Sequence, residues 1–571
     1  MNHFAFRTAA VLLALTAIGC ASNIARTSLD EPRYFPDEMG IVALQVVSNA
    51  SRLAPRLDRW GGVQLEDLDD DETEYYLHRV RRGLVDSDFF LGALPPGQYR
   101  LKALVAGTQF GETFYALRAP LPEPLGTFTT GNDKLTDLGT LAFQPLGPLP
   151  TEVDVTEDDS EPILLPFSVA RVRGEGDFHE LVSELYPRIS ASIDAGDRLG
   201  WSQLAESDKE MADAIKRHIA PGPAHRTSQG VPVLPSRLGQ IYWFDSSAGT
   251  WQRSDTGVNH MIDYVATTPA GGLLAVGERG VVLESERWDA AWRRLKGPGP
   301  THEIAWAHVH PSGEIFLLTR TFDFIHLLRS RPGSTFWEPI HRFEVNYIWR
   351  HKGRQVASAR VEADKLIVLA NGRYHEFDLD GELLERHRSR RFLDIARQAN
   401  GYLVIEGDVS SVDPRYSTDG GLDWIAAHEV TDEESWVVQE SGMIYVDEKS
   451  GEWTVANKPQ IKGDFWLRKH FPHEPRLRRK HRWSRQVEWH AILPEGCEEI
   501  DPVLSGRGRI FVRCFDGRVM STRADGDEWS LEIDTLPRST TGKTLESGHR
   551  GEAEFTTGTV TTVYIPVFLP F

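Results

Sequence analysis

The stretch "YSTDGGLDW", Tyr416 to Trp424, decides how the C-terminal half of this chain folds. It offers a hydroxyl at Ser417, an acid two residues on, two glycines, and a Trp seven residues after the hydroxyl. Such a set is either a reactive cluster or a tight turn. Its copies argue for the turn. Ser285 to Trp292, Ser330 to Trp337 and Thr522 to Trp529 keep the seven-residue offset, yet only the 417–424 copy keeps both Asp419 and Gly421. Asp closes turns by accepting hydrogen bonds from backbone N–H groups. Gly421 permits positive φ, and Trp424 supplies a wedge for an apolar seam. Constant spacing with eroding side chains is what remains when a turn needs its shape more than its chemistry.

The turns punctuate a larger repeat. "GQIYWFDSSAGTW", "GGLLAVGERGVVLESERWDAAW", "SGEIFLLTRTFDFIHLLRSRPGSTFW", "DKLIVLANGRYHEFDLDGELL", "NGYLVIEGDVSSVDPRYSTDGGLDW", "ESWVVQESGMIYVDEKSGEW" and "GRIFVRCFDGRVMSTRADGDEW" each read strand, polar turn, strand, turn. All but the fourth end in Trp, at 251, 292, 337, 424, 453 and 529. The first steps are 41 and 45 residues, and the third, 87, leaves room for the unit without Trp. The last two, 29 and 76, imply one short blade and one long insertion. Repeats in the forties built from short strands specify a β-propeller, because one four-stranded sheet cannot cover both of its faces alone. The expectation is about seven blades over residues 233–571.

The intact copy resembles the Asp-box, or BNR, repeat of sialidase-like propellers, and "LLAVGERGVVLES" resembles the blades of photosystem II assembly-factor-like propellers. The resemblance implies a binding or assembly scaffold. Sialidase chemistry also requires an Arg triad, a Tyr/Glu pair and an acid, and the family's Arg-Ile-Pro segment has no counterpart here. Arg171 and Arg173 lack its Pro context. The expectation is therefore a non-catalytic protein without a cofactor or metal. The alternative is a sialidase-like glycoside hydrolase acting on surface glycans.

The N-terminus reads "MNHFAFRTAAVLLALTAIGC". Its apolar run of about a dozen residues is too short to span a bilayer. With Gly19 before Cys20 it resembles a bacterial lipoprotein signal peptide, residues 1–19. That resemblance implies a palmitate-type lipid on Cys20, membrane anchoring and a cell-envelope location. Ser22 is not the Asp of inner-membrane retention, which favours the outer membrane. Residues 20–38 read as a polar tether.

Residues 39–148 read as a β-sandwich. "IVALQVV" and "YRLKALVAG" are strand-like runs, and Pro95-Pro96-Gly97 sets a turn that places Tyr99 and Leu101 on one face. The "LPPGQYRL" hairpin resembles prealbumin-like or carboxypeptidase-regulatory-like modules. Residues 149–232 read as an acidic linker and a helical segment. Phe178, Leu181, Val182, Leu185, Ile189 and Ile193 lie at helical spacing, with Asp177 and Glu180 as a capping box and Pro187 as a break. A second helix is expected from Ser207 to about Ile219. The predicted fold is mainly β: sandwich, helical linker, propeller.

A net charge of −20 argues against nucleic acid as a partner. A protein or glycan partner is expected instead. In an oxidising compartment Cys497 and Cys514, flanking one hairpin, are expected to form a disulfide, with two buried thiols as the alternative. His308 and His310 share a strand face, and packing is the better reading of them. The segment "RKHFPHEPRLRRKHRWSR", 468–485, is expected to project as a loop. It carries Arg468, Lys469, Arg476, Arg478, Arg479, Lys480, Arg482 and Arg485 against one acid, Glu474. It could dock on an anionic surface or pair with the molecule's own acids.

Overall fold

The computed structural model describes residues 23–25, 38–48, 60–70, 73–80, 88–110, 113–146, 163–172, 174–187, 206–321, 323–344, 357–362, 364–392, 394–406, 414–427, 443–449, 451–458, 474–481, 483–484, 486–514, 516–535 and 549–559. Cys20, Ile189, Ile193, Arg468, Lys469, Arg482 and Arg485 lie outside them, as do residues 149–162 and all of the tether except residues 23–25 and Glu38.

The N-terminal strands are β1 (Asn23–Ala25), β2 (Gly40–Ser48), β3 (Gly62–Asp67), β4 (Thr73–Arg79), β5 (Asp88–Leu94), β6 (Gly97–Phe110), β7 (Thr113–Pro120), β8 (Thr127–Thr130), β9 (Leu135–Pro145) and β10 (Ile163–Val172). They join one continuous sheet with a final strand, His549–Thr559, in the order β4-β3-β6-β7-(549–559)-β10-β9-β2-β5. The sheet closes on itself where β5 meets β4, at His78–Leu91 and Arg79–Phe90. Trp60, Val63, Leu65, Phe90, Tyr99 and Leu101 fill its interior. β2 and β5 read as unbroken apolar runs because both of their faces are covered. Tyr99 and Leu101 do point inward together, and the Tyr99 hydroxyl donates to Pro95 O at 2.9 Å across the Pro-Pro turn.

Helix α1 (Phe178–Leu185) lays Phe178, Leu181 and Val182 on the outer face of β2 and β5, against Ile41, Phe89 and Leu91. It stops before Pro187. The expected capping box does not form: Asp177 makes no cap hydrogen bond, because its carboxylate is used elsewhere. Helix α2 (Glu206–Arg217) buries Met211, Ala214 and Ile215. Its Asp208 holds Arg171 of β10 through Nε and Nη2 at 3.2 and 2.8 Å.

Seven four-stranded antiparallel sheets follow, the blades of a propeller. Their inner strands are His225–Arg226, Ile262–Thr267, Glu303–Val309, Ala357–Glu362, Asp394–Arg397, Tyr445–Val446 and Cys497–Ile500. Two boundaries differ from the sequence reading. The first blade begins at His225, not 233. The propeller also does not run to the C-terminus, because 549–559 leaves it and pairs with β10 (Phe167 with Gly551) and β7 (Leu117 with Phe555). The propeller is thus inserted into the N-terminal sheet, between a departing strand and a returning one that lie side by side.

Among the described residues no strand is shared between the first and seventh blades, and side chains help to close the ring. Arg513 donates to Gly222 O at 2.8 Å and to Asp501 Oδ2 at 2.7 Å. Arg226 of the first blade reaches Val503 O of the seventh at 3.0 Å, and the Tyr242 hydroxyl ties the first blade to Ile219 O, just after α2, at 2.8 Å. Leu238, Tyr242, Phe511 and Val519 share one apolar cluster with α2 and with Ala142 and Ala170 of the N-terminal sheet.

Candidate functional site

The opening motif is a turn between the third and fourth strands of the fifth blade. The Ser417 hydroxyl donates to Asp419 Oδ1 at 2.7 Å and accepts from Gly421 N–H at 2.7 Å. Asp419 also accepts from the N–H groups of Leu422 (3.1 Å) and Asp423 (3.0 Å). Partial burial would raise the Asp419 pKa, but these donors win and hold it below the usual range. Gly420 and Gly421 sit at φ 75° and 99°, where a Cβ would be strained. Both carboxylate oxygens are committed to the backbone, so the group shapes the turn.

Four Trp residues stitch their blades, the second, third, fifth and seventh, to the one before. Trp292 Nε1 donates to Ser254 Oγ at 3.0 Å, Trp337 to Lys296 O at 3.0 Å, Trp424 to Ser389 Oγ at 2.9 Å and Trp529 to Ile492 O at 2.7 Å. Trp453 does not belong to this series. It lies in the second strand of the sixth blade, Gly451–Lys458, and bonds Asp447 within its own blade. That misplacement explains the uneven steps of 29 and 76.

The basic segment is corrected in the same way. Residues 474–481 form the third strand of the sixth blade, so this part is no projecting loop. Arg479 Nη2 meets Asp447 at 2.7 Å and Nη1 meets Glu488 at 3.3 Å. Arg478 and Lys480 are buried, opposite Thr454 and Glu452. Arg476 donates to His490 O. In the seventh blade Cys497 and Cys514 are register partners and are joined as a disulfide.

Strands alternate in direction around each blade. Loops joining second to third strands, and each blade to the next, therefore lie on one face of the ring. The N-terminal sheet and helices grip that face. Asp177 bridges two propeller loops there, accepting from His260 Nε2 and from Arg279 Nη1, both at 2.9 Å. Arg279 is buried, has φ 53°, and lies between the rings of Phe89 and Phe178 at 4.9 and 4.7 Å. Glu278 accepts from Gln45 Nε2 at 3.1 Å, and Arg237 donates to Ser48 O at 2.7 Å. Burial works against the Asp177 charge, but the Arg279 guanidinium and His260 hold the carboxyl well below the carboxylate range. The sequence carried one signal of this clamp, the glycine-flanked "GERG" of Gly277 to Gly280, and it reads there as an ordinary blade turn.

The opposite, far face carries the Trp turns and the ends of the inner strands. At its mouth Arg360 Nε (2.7 Å) and Arg397 Nη2 (3.1 Å) converge on Glu362 Oε1. Burial pushes Glu362 up, but the two guanidinium groups keep it below its ordinary value. Arg360 is mostly covered, while Glu362 and Arg397 are about half exposed. Deeper in the channel Tyr264 stacks on His225 at 4.1 Å, and Val265 N–H donates to His225 Nε2 at 3.0 Å. Burial lowers His225 to about 4, which suits a neutral acceptor. His308 and His310 lie 6.4 Å apart by ring centres, and His310 faces Asp364 at 3.6 Å. No cluster of three potential metal ligands occurs among the described residues. This arrangement can order a charged or hydrogen-bonding group at a fixed mouth.

No known protein family matches the sequence, and no curated protein does. Among solved structures the chain is similar to YCF48 from Cyanidioschyzon merolae, at 12% identity over 53% of this chain and 96% of that one, TM-score 0.35. It is similar to virginiamycin B lyase from Staphylococcus aureus, at 9% identity over 59% and 94%, TM-score 0.32. It is also similar to the Cps50 (Swd1) β-propeller domain of Myceliophteria thermophila, at 12% identity over 53% and 97%, TM-score 0.34. The chain is a mainly β protein with a seven-bladed propeller, a fold that stands on its own seven four-stranded sheets.

Proposed function

We propose that the chain is a lipid-anchored scaffold of the bacterial cell envelope. On this reading Cys20 carries the lipid, the outer membrane is the host membrane, and the far face of the propeller engages a protein or glycan partner without transforming it. The observation that carries the binding role is the mouth formed by Arg360, Glu362 and Arg397. Two cations share one carboxylate there, and the half-exposed Arg397 is left with donor capacity toward a ligand. The non-catalytic reading is supported by Asp419, whose two oxygens are filled by backbone donors.

Cross-linking in intact cells tests the proposal, comparing the unmodified chain with Arg397→Ala. A cross-linked partner that disappears in the variant is expected. An identical cross-linking pattern would remove the mouth from the account. A panel of fluorogenic glycosides tests the enzyme alternative, and turnover abolished by Glu362→Gln would overturn the scaffold reading.

A further inference from the structure

The outer strand of the fourth blade, Leu383–Arg388, is the only outer strand among the described residues in which every side chain is exposed. Three observations set it apart. First, it continues into an arginine patch: Arg386 and Arg388 in the strand, Arg390 and Arg391 after it, and Arg373 on the neighbouring strand, all exposed. Second, none of these five has a carboxylate partner among the described residues. Arginines elsewhere in the fold do meet carboxylates, as at Arg279, Arg479 and Arg513. Third, Arg373 and Arg388 are direct cross-strand partners. Like charges opposite each other in an antiparallel pair destabilise it. The cost is borne in a chain of net charge −20.

The opposite end of the same strand exposes Leu383 and Leu384, at 46% and 48%. A strand of this length spans roughly 17–20 Å. The edge therefore offers two exposed leucines, then Glu385 paired with His387 at 2.9 Å, then the exposed arginines. An exposed array of cations without carboxylate partners, beside exposed leucines, fits a surface of phosphate headgroups with acyl chains beneath.

We infer that this outer edge of the fourth blade docks on an anionic lipid surface, with Arg386, Arg388, Arg390 and Arg391 over the phosphates and Leu383 and Leu384 at the interface. The inference rests on the cell-envelope placement proposed above. It gives the propeller a second membrane contact besides the tether, and so a fixed orientation.

Vesicle sedimentation tests it with the full chain carrying Cys20→Ser, so that no attached lipid contributes. Binding to phosphatidylcholine vesicles containing phosphatidylglycerol is expected, with little to phosphatidylcholine alone and with release by salt. Each Arg near an anionic surface contributes on the order of fivefold, so replacing Arg386, Arg388, Arg390 and Arg391 by Gln should weaken binding at least ~100-fold. Arg388→Glu alone should weaken binding about fivefold or more while the thermal midpoint holds or rises, because it removes the like-charge pair. A variant that had merely unfolded would lose both. Equal binding to both vesicle types, or unchanged binding by the four-Gln variant, overturns the proposal. So does loss of an acidic protein partner in cells with vesicle binding unaffected. Mass spectrometry of the chain's N-terminus tests the Cys20 lipid separately. An unlipidated chain that still binds anionic vesicles sinks the anchor and leaves this edge standing.

Discussion

Asp177→Asn removes the charge that joins the N-terminal sheet to the second blade. The side chain is about 10% exposed and Arg279 about 1% exposed, so little solvent screens the pair. Removing one member of a buried ion pair costs about 3–5 kcal/mol, because the other charge stays buried. Here Arg279 would remain between Phe89 and Phe178 with its Nε and Nη2 already without partners. The Asn can still accept one hydrogen bond, so the lower figure, about 3 kcal/mol, is expected. Urea unfolding measures it. The double variant Asp177→Asn/Arg279→Met should recover much of the loss, since a flexible apolar chain between two rings needs no counter-ion. The pH dependence has a fixed sign. Asp177 is held below its unfolded value, so its contribution is present above about pH 4 and is lost as pH falls through the folded value. A loss under about 1 kcal/mol, or a double variant as weak as the single, would refute the clamp.

Asp419→Ala should cost about 1–2 kcal/mol, as loss of a capping acceptor does, and leave partner capture unchanged; differential scanning calorimetry and a pull-down read the two. Burial holds His375 at about 4, helped by Arg386, between Phe343 and Phe377. A histidine depressed in the folded state contributes stability that is complete above about pH 6.5 and is lost as pH falls toward 4, up to about 3 kcal/mol. Thermal midpoints should fall between pH 7 and pH 5, and His375→Phe should flatten that fall. Ending the chain at residue 548 removes the strand between β7 and β10, so hydrogen exchange should show both neighbours deprotected while the third and fourth blades stay protected.

The blades were legible because each is local. Strand, turn and strand follow within about forty residues, and the apolar alternation survives the loss of the Trp in the fourth unit. The Ser417–Trp424 turn was legible for the same reason, since the hydrogen bonds of the Ser417 and Asp419 side chains fall within four residues, with Ser389 reaching Gly421 O and Trp424 from outside. What escaped was non-local. "HRGEAEFTTGT" carries no strong alternation, and its partners lie far earlier in the chain, in β7 and β10. The segment around Arg479 read as a loop because charge was counted without its partners: Asp447 and Glu488 are supplied by adjoining strands and turns. Asp177 read as a helix cap, whereas its acceptors' partners, His260 and Arg279, come from loops about a hundred residues away.

The propeller is inserted between β10 and the returning C-terminal strand. Leu164 and Glu554 are register partners across that pair, and both side chains are exposed. Cross-strand partners have Cβ atoms about 5 Å apart, close enough for a disulfide. Air oxidation of the variant Leu164→Cys/Glu554→Cys, followed by non-reducing peptide mapping, measures the pairing directly. A cross-link between positions 164 and 554, absent when the second cysteine is moved to Glu552, is the predicted result. Free thiols at both positions in a folded protein, or equal cross-linking from 552, would contradict the insertion.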